Sequence, residues 1–356
     1  MASRPRSRRK AGSRRRRRRR EPAWTRKSDA ELLRTRFCDL RLTLRNSVVE
    51  RHLREIRRNL RARGIRFRPH VWLSEEWFSP DGVPGLAVPF YMAHPRLRRM
   101  ERRFMGEVEG GNANWLMRIL RHEIGHALDN AYRLRRRKDW RRMFGKASRP
   151  YPDIYRPRPA SRDFVLHLGH WYAQSHPTED FAETFAVWLQ PRSRWRREYQ
   201  GWPALRKLEY VDRLMTQISG LQPVVHNQDL IEPLSDNSST LGEHYRRKRA
   251  RYELDRPDAY DLRLKRVFGK RRKGRRRMTA STFVRQSRPE LERLLMRRSR
   301  LYPYLVHHVL RTVIQRCREL DLVLDTSKRE AKRAVLGVLE RILIDILRRD
   351  RERYTL

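Results

Sequence analysis

The chain has 356 residues, of which 86 are Lys or Arg and 41 are Asp or Glu, so its formal net charge at pH 7 is +45. Its two cysteines, Cys38 and Cys317, are far apart and outside any C-x-x-C motif, which excludes a disulfide scaffold and a cysteine zinc ribbon. No apolar run reaches the roughly 18 residues of a transmembrane helix. These features predict a cytoplasmic protein without a membrane partner.

The positive charge extends along the whole chain. Residues 1–20 contain 12 basic residues and no acid, and the lack of an apolar period predicts that residues 1–28 form a disordered Arg-rich tail. Most of the excess charge lies outside this tail. Because a surface of this sign attracts phosphate backbones of any sequence, nonspecific nucleic acid or another polyanion is one predicted partner. Arg-rich codon usage alone would give the same composition, which leaves an alternative open.

Apolar spacing predicts both strands and helices in the first half of the chain. Residues 40–62 have helical spacing, whereas residues 65–73 and 85–92 are short β-branched or aromatic runs and predict two strands. Pro89 places the second strand at the edge of its sheet. The free backbone groups of residues 86–92 are therefore predicted to pair with an extended substrate.

Further helices are predicted from the same spacing. In chain order they span residues 112–134, 177–189, 202–218, 279–298, 303–320 and 327–349. Pro177 suits a first helical turn, and Ser327 with Glu330 forms a capping box at the start of the last helix. The C-terminal part of the chain is thus predicted to be a module of three helices.

The most informative motif is His122-Glu123-Ile124-Gly125-His126, an H-E-x-x-H sequence within the helix predicted at 112–134. Residues four apart lie one above the other on a helix, so His122 and His126 can bind one metal ion. Glu123 is rotated by about 100° from His122, which places it beside the open position of the metal. The alternative is two unrelated histidines that happen to have this spacing.

A catalytic zinc needs three protein ligands and one exchangeable water. The candidates for the third ligand are His167, His170, His176, Glu179 and Glu183. The two acids, Glu179 and Glu183, share one face of the helix predicted at 177–189 with small alanines. These alanines would let that helix approach the histidine helix closely. The pattern favours Glu179 as the ligand and Glu183 as the acceptor of a hydrogen bond from the outer nitrogen of His122.

Two segments carry a resemblance to a known family. Residues 122–126 (HEIGH) and 177–186 (PTEDFAETFA) resemble the gluzincin metallopeptidases, and above all the bacterial family described as putative zinc-binding metallopeptidases. The pattern is similar to the catalytic domain of anthrax lethal factor. There, the first glutamate of an E-x-x-A-E segment ligates zinc, and a tyrosine seven residues before it assists the reaction. In this chain these positions are Glu179 and Tyr172.

The resemblance implies an α+β fold with a zincin-like core, in which a small sheet with an edge strand lies over the H-E-x-x-H helix and a second ligand-bearing helix. The predicted organisation comprises a tail (1–28), a zincin-like metallopeptidase domain (29–220), a basic linker with local helix (221–278) and a C-terminal module (279–356). The core would hold one Zn²⁺ per chain.

These residue types predict a hydrolase that cleaves protein or peptide substrates. A zinc-activated water attacks the peptide carbonyl, Glu123 is the general base, and Tyr172 donates a hydrogen bond to the oxyanion. Asp129 is a candidate partner for the outer nitrogen of His126.

Two alternatives come from other classes of protein. One is a basic nucleic-acid-binding or polyanion-binding protein whose zinc domain is structural or inactive, and the other is an interaction module built on the C-terminal helices. A purely structural site has no need of Glu123, which favours the peptidase.

Overall fold

The computed structural model describes residues 21–105, 108–151, 158, 160–250, 257–270, 277–298 and 303–352. Within these ranges the chain is mostly helical with two small sheets, so the predicted α+β class is confirmed. Residues 1–20, most of the predicted tail, lie outside the described residues. Order begins earlier than predicted, because a 3₁₀ turn at Ala23–Arg26 packs the Trp24 ring into the core.

The first part of the chain contains helices and a two-stranded parallel sheet. In chain order its helices and strands are α1 (Asp29–Leu33), α2 (Val48–Ala62), β1 (His70–Ser74), β2 (Gly85–Pro89), α3 (Pro95–Met105), α4 (Ala113–Tyr132), α5 (Lys138–Phe144), α6 (Pro177–Leu189), α7 (Trp195–Glu198) and α8 (Ala204–Ile218). The apolar faces of α2, α4, α6 and α8 meet in one continuous core.

The second part adds helices and a two-stranded antiparallel sheet. Its elements are α9 (Leu241–Ala250), α10 (Asp261–Val267), β3 (Gly269–Lys270), α11 (Ala280–Arg298), α12 (Pro303–Glu319), β4 (Leu322–Val323) and α13 (Lys328–Glu352). The three predicted C-terminal helices are present, and the Ser327 and Glu330 side chains each accept a hydrogen bond from the other's backbone N–H at 3.2 Å. No helix in the described part of the chain combines the length and apolar character needed to cross a bilayer.

Helix α2 begins eight residues later than its apolar spacing predicted. The Ser47 hydroxyl accepts a hydrogen bond from the Glu50 N–H at 3.2 Å and so caps the helix at Val48. Just before this cap, Asn46 has a φ of 64°, a left-handed conformation that interrupts a helix. Capping chemistry therefore overrides the apolar period of residues 40–47.

Helices α4 and α6 pack closely because small residues face each other. A Cβ added to Gly125 would lie 3.0 Å from the Ala182 Cα and 3.1 Å from a Phe185 ring carbon. Glycine in a helix interior costs about 1 kcal/mol relative to alanine, and here it permits contact between the two helices. The close approach predicted from the alanines of α6 is confirmed.

The small sheet differs from the prediction. Strands β1 and β2 pair in parallel, with Val71 beside Leu86 and Leu73 beside Val88. All five residues of β2 are buried, and on its other side the Ala87 N–H donates to the Phe78 carbonyl at 2.8 Å. Strand β2 is therefore not the exposed edge, and the prediction that residues 86–92 pair with substrate was wrong. The outer position belongs to the extended chain around Phe78, which runs antiparallel to β2.

The segment that follows α8 packs back onto β1. The Leu234 N–H donates to the Leu73 carbonyl at 2.9 Å, and the Trp72 indole N–H donates to the Ile231 carbonyl, also at 2.9 Å. Further on, the Phe37 N–H donates to the Ser239 carbonyl at 3.0 Å. The first part of the predicted linker is thus bound by hydrogen bonds to the small sheet and to the segment before α2.

Glu75 joins this segment and α9 to the end of β1. Its carboxylate accepts hydrogen bonds from Asn237 at 2.7 Å, from Arg247 at 3.0 Å and from the His244 ring. Burial raises the pKa of Glu75, but the hydrogen bond and charge of His244, together with Asn237 and Arg247, outweigh it and lower that pKa to about 2. A lowered pKa stabilises the fold above the unfolded value near 4.5, and the stabilisation is lost as pH falls towards 2.

Glu75→Gln is expected to reduce the stability at pH 7 and to make its decline between pH 4.5 and pH 2 shallower than in the wild type. Urea unfolding midpoints measured across this range test the prediction. Glu209→Gln, which removes a half-buried acid without these contacts, is the matched control. Parallel pH profiles of the wild type and Glu75→Gln would contradict it.

Candidate metal centre

Helix α4 presents two imidazole rings to one point. The Asn112 side chain caps the helix by accepting from the Trp115 N–H at 2.9 Å, and one turn separates His122 from His126. The Nε2 atoms of the two rings are 3.1 Å apart, and both residues are buried. Since one nitrogen of a neutral imidazole is a lone-pair donor, two such atoms at this distance suit a shared cation.

Helix α6 supplies a carboxylate to the same point. Its first turn begins after His176, with Pro177 at the first helical position, and the buried side chain of Glu179 points towards α4. The Glu179 Oε2 atom lies 2.9 Å from the His122 Nε2 and 3.2 Å from the His126 Nε2. These three residues form the group that can hold a metal ion, and no fourth His, Cys, Asp or Glu joins it among the described side chains.

The donor set fits zinc. Nitrogen and oxygen ligands lie about 2.0–2.1 Å from Zn²⁺ in tetrahedral geometry, which places neighbouring ligand atoms roughly 3.3 Å apart. The three observed separations are 2.9, 3.1 and 3.2 Å. Two imidazoles and one carboxylate also match the donors of zinc sites that keep a fourth position open for chemistry. His122, His126 and Glu179 would therefore hold the ion.

Glu183 lies one turn after Glu179 and orients His122. The His122 Nδ1–H donates to the Glu183 Oε1 at 2.8 Å, as the sequence predicted, which leaves the Nε2 lone pair directed at the metal position. The second oxygen of Glu183 accepts from the Leu168 N–H at 2.7 Å, and the carboxylate is fully buried. Both oxygens are thus fixed in place.

Glu183→Gln is expected to weaken zinc binding by about 10- to 100-fold, the usual effect of losing an outer partner of a ligand. A glutamine amide cannot accept hydrogen bonds from both the His122 ring and the Leu168 N–H. It also carries no negative charge to balance the positive charge of the metal ion. Competition with a chelator of known affinity measures the change. Glu198→Gln, at an exposed position on α7, should bind zinc as the wild type does. Unchanged affinity in Glu183→Gln would refute the role of this carboxylate.

The charges of the centre are strongly coupled. Burial lowers the pKa of the His122 ring, but its hydrogen bonds to Glu179 and Glu183 outweigh burial and raise that pKa well above its usual value. Burial raises the pKa of Glu179, whereas the two histidines lower it well below its usual value. A pair of buried carboxylates thus favours positive charge at this point, whether a proton or a metal ion supplies it.

Glu123 directly follows His122 on α4 and is also buried. Its backbone carbonyl accepts a hydrogen bond from the Ser79 hydroxyl at 3.1 Å, which ties the extended chain after Phe78 to this helix. Burial and the charges of Glu76 and Glu123 raise the pKa of Glu109 to about 7, although Lys248 opposes them. The charge of Glu123 therefore acts on Glu109, an acid in the segment before α4.

Tyr172 lies against the same centre. The centroid of its ring is 5.5 Å from that of His122. Burial raises the pKa of the Tyr172 phenol, and the charges of Glu179 and Glu123 add to this effect. The phenol therefore stays protonated at neutral pH and keeps its O–H as a donor.

Tyr151 is a site residue that the sequence did not predict. Its hydroxyl donates to the Glu179 Oε1 at 2.7 Å, and its ring stacks on His176 with 3.8 Å between the centroids. The Thr178 hydroxyl is also 2.7 Å from the Tyr151 hydroxyl. Tyr151 holds the carboxylate oxygen that is turned away from the histidines. It lies within the irregular Pro- and Arg-rich stretch of residues 145–165, where no spacing signal could have identified it.

Asp129 does not have the contact predicted for it. Its two carboxylate oxygens accept from the Arg135 backbone N–H at 2.8 Å and from the Arg135 Nε at 2.6 Å. No hydrogen bond joins Asp129 to His126 among the described residues. Asp129 is one turn after His126 on the sequence, but the chain turns back after α4 and brings an arginine to this carboxylate. The ion pair fixes the end of α4.

Two of the other candidate ligands have structural contacts instead. The His167 Nε2 lies 3.0 Å from the Arg118 carbonyl, and burial is the main cause that lowers the pKa of this ring to about 4. His176 caps α6 through its Nδ1, while its Nε2 lies 2.6 Å from the Arg149 carbonyl. The side chain of His170 lies outside the described part of the structure.

Comparison with known proteins identifies one family. Residues 92–197 match the model of the family described as "Putative zinc-binding metallo-peptidase". No curated protein matches the chain, and no solved structure does. The matched span contains α4, α6 and all three residues that can hold the metal ion. The resemblance predicted from the sequence is thus confirmed, since residues 92–197 match the putative zinc-binding metallo-peptidase family.

Proposed function

We propose that this protein is a zinc-dependent metallopeptidase that hydrolyses peptide bonds in protein or peptide substrates. The observation that carries the proposal is the convergence of the His122 Nε2, the His126 Nε2 and the Glu179 Oε2 within 2.9–3.2 Å of one another. This convergence occurs inside the segment that matches the peptidase family. The zincin-like arrangement of the core is part of the same proposal.

Each residue has one task in the proposed reaction. When bound, zinc supplies Lewis acidity, which polarises a peptide carbonyl and lowers the pKa of a water. Glu123 accepts a proton from the attacking water and passes it to the leaving amine. Glu183 holds the His122 ring, and Tyr151 holds the Glu179 carboxylate through the contacts described above.

The geometry favours this function over a structural zinc site. A structural site closes its fourth position with another Cys or His. Among the described side chains, only three donors converge here, and no fourth Cys or His joins them. The residue after His122 on α4 is instead Glu123, a candidate general base. We expect an extended substrate to pair with the chain around Phe78, where Phe78 forms an antiparallel bridge with Ala87 of β2. This assignment replaces the edge predicted at residues 86–92.

Zinc content and proteolysis test the proposal together. The purified chain should contain about one zinc and cleave an unfolded protein such as casein. Cleavage should stop on chelation and return with added zinc. His122→Ala should lose both metal and cleavage, whereas His226→Ala, at an exposed loop position, should lose neither. A wild-type chain that binds no zinc, or one that binds zinc but cleaves neither casein nor a peptide library, would refute it.

Tyr172→Phe is expected to lower kcat by about 10²- to 10³-fold, the usual effect of removing one hydrogen-bond donor to an oxyanion, while zinc content stays unchanged. Tyr151→Phe is the matched comparison, because its hydroxyl bonds to the Glu179 carboxylate and its loss should affect zinc affinity more than kcat. Steady-state kinetics at saturating zinc separate the two. An unchanged kcat in Tyr172→Phe would exclude Tyr172 from catalysis.

A further inference from the structure

Four arginines line a shallow cavity away from the residues of the metal centre. Arg57 and Arg61 lie one turn apart near the end of α2, and Arg66 and Arg68 alternate along the extended chain that leads to β1. The cavity has a volume of about 420 Å³, and its remaining lining residues are Gly64, Ile65 and Phe67. We call these four side chains the arginine groove.

Positive charges lie close together in the arginine groove. None of its four side chains forms an ion pair with an acid among the described residues, and three of them, Arg61, Arg66 and Arg68, are exposed. The Arg57 Nε is buried and has no hydrogen-bond partner. Burial lowers the pKa of Arg57, and the charges of Arg68 and Arg61 lower it further, although the charge of Glu50 opposes them. The fold thus holds positive charges close together, and their repulsion is unfavourable. A bound anion would reduce this repulsion.

We propose that the arginine groove binds the phosphodiester backbone of nucleic acid. The planar guanidinium fork matches phosphate oxygens and can donate two parallel hydrogen bonds to them. A row of such groups suits a backbone that carries regularly spaced phosphates, and the contacts need no particular base sequence. This function is separate from peptide hydrolysis and does not depend on the metal centre.

The same groove is poorly suited to a membrane surface. A helix that lies on a bilayer inserts an apolar face among the lipids. Four apolar residues of α2, Val49, Leu53, Ile56 and Leu60, are buried in the core, and Val48 is half-buried against it. Ile65 and Phe67, between the arginines, are buried as well. The groove therefore offers charge without an apolar face, which favours nucleic acid over an anionic membrane.

The salt dependence of DNA binding by the full chain tests this proposal. Each phosphate contact contributes about 0.9 to the slope of log affinity against log salt for duplex DNA. Arg57→Gln/Arg61→Gln/Arg66→Gln/Arg68→Gln is expected to reduce the slope by about 3 to 4. Fluorescence anisotropy with a short duplex of arbitrary sequence gives the slope. Replacing only the three exposed arginines, which the fold tolerates more easily, should reduce it by about 2 to 3.

The matched control removes four other exposed arginines, Arg141, Arg197, Arg206 and Arg213, and should change the slope by less than about 1. This control distinguishes the contribution of the groove to DNA binding from that of the general positive charge. The Arg-rich tail is present in all variants, so its contribution is constant. Lysine at the four groove positions should largely retain the slope. Equal losses in groove and control variants would overturn the proposal. The proposal would also be overturned if a groove variant no longer bound phosphatidylserine vesicles but kept the wild-type salt dependence of DNA binding.

Discussion

Glu123→Gln is expected to retain zinc and to lose about 10²- to 10⁴-fold in the rate of peptide hydrolysis, the range for a positioned general base. None of the three residues that can hold the metal ion is altered, and glutamine keeps nearly the same shape. An amide, however, cannot accept a proton from water and return it to the leaving amine. The expected signature is therefore an unchanged metal content with a lower kcat.

The measurement combines zinc determination with casein cleavage on the same preparations. Glu55→Gln, a half-buried glutamate on α2 outside the centre, is the control and should cleave casein at the wild-type rate. If Glu123→Gln cleaved as fast as the wild type, Glu123 would not be the base. If it lost its zinc, the residue would help to build the site rather than to move a proton.

Lys248→Met is expected to destabilise the fold by about 3–5 kcal/mol, the usual cost of leaving buried charges without their partner. Lys248 is 4% exposed, and its Nζ lies 3.2 Å from both the Glu76 Oε1 and the Glu101 Oε1. Glu101 is itself 2% exposed, and its second oxygen has no hydrogen-bond partner. Methionine fills a similar volume but leaves these carboxylates in a medium of low polarity.

The destabilisation should decrease as the pH falls, because burial already raises the pKa of Glu101 and protonation removes the unpaired charge. Chemical unfolding at several pH values gives the difference in unfolding free energy. Lys332→Met is the matched control, since its pair with Glu290 is partly exposed and should be worth at most about 1 kcal/mol. Equal effects of the two substitutions would show that Lys248 is not a buried structural cation.

The Lys248 network also links the predicted linker to acids from earlier in the chain. Helix α9 carries Lys248 and His244 to the acids after β1, and the charge of Glu76 acts together with that of Glu123 on Glu109. No local pattern in the sequence joins the two residues of α9 to these acids, which lie more than 120 positions before them. The contribution of α9 to the core becomes visible only in the folded chain.

Local sequence rules predicted the parts of the site that lie on single helices. The spacing of His122 and His126 on α4, and of Glu179 and Glu183 on α6, follows from helical geometry alone. The small residues between these acids predicted the close approach of α4 and α6. Helix α3, by contrast, was not predicted, since 6 of its 11 residues are charged and mask its short apolar period.

Predictions that required partners from distant parts of the chain were less successful. Pro89 indicated an edge strand, but the chain around Phe78 covers β2 on that side. Asp129 was assigned to a histidine one turn away and instead binds Arg135 beyond the end of the helix. Tyr151 gave no signal, because its contact with Glu179 depends on the path of an irregular loop.

The sequence by itself predicted the residues that can hold a metal ion, the candidate general base and the order of the main helices, because motifs within one or two turns of single helices indicate them. Only the tertiary structure decided which strand edge is covered, which tyrosine reaches which side of the centre, and where unpaired arginines gather. These features depend on loop paths and on contacts across the fold. Their energies come from burial and from charges brought together by folding, which local patterns do not encode.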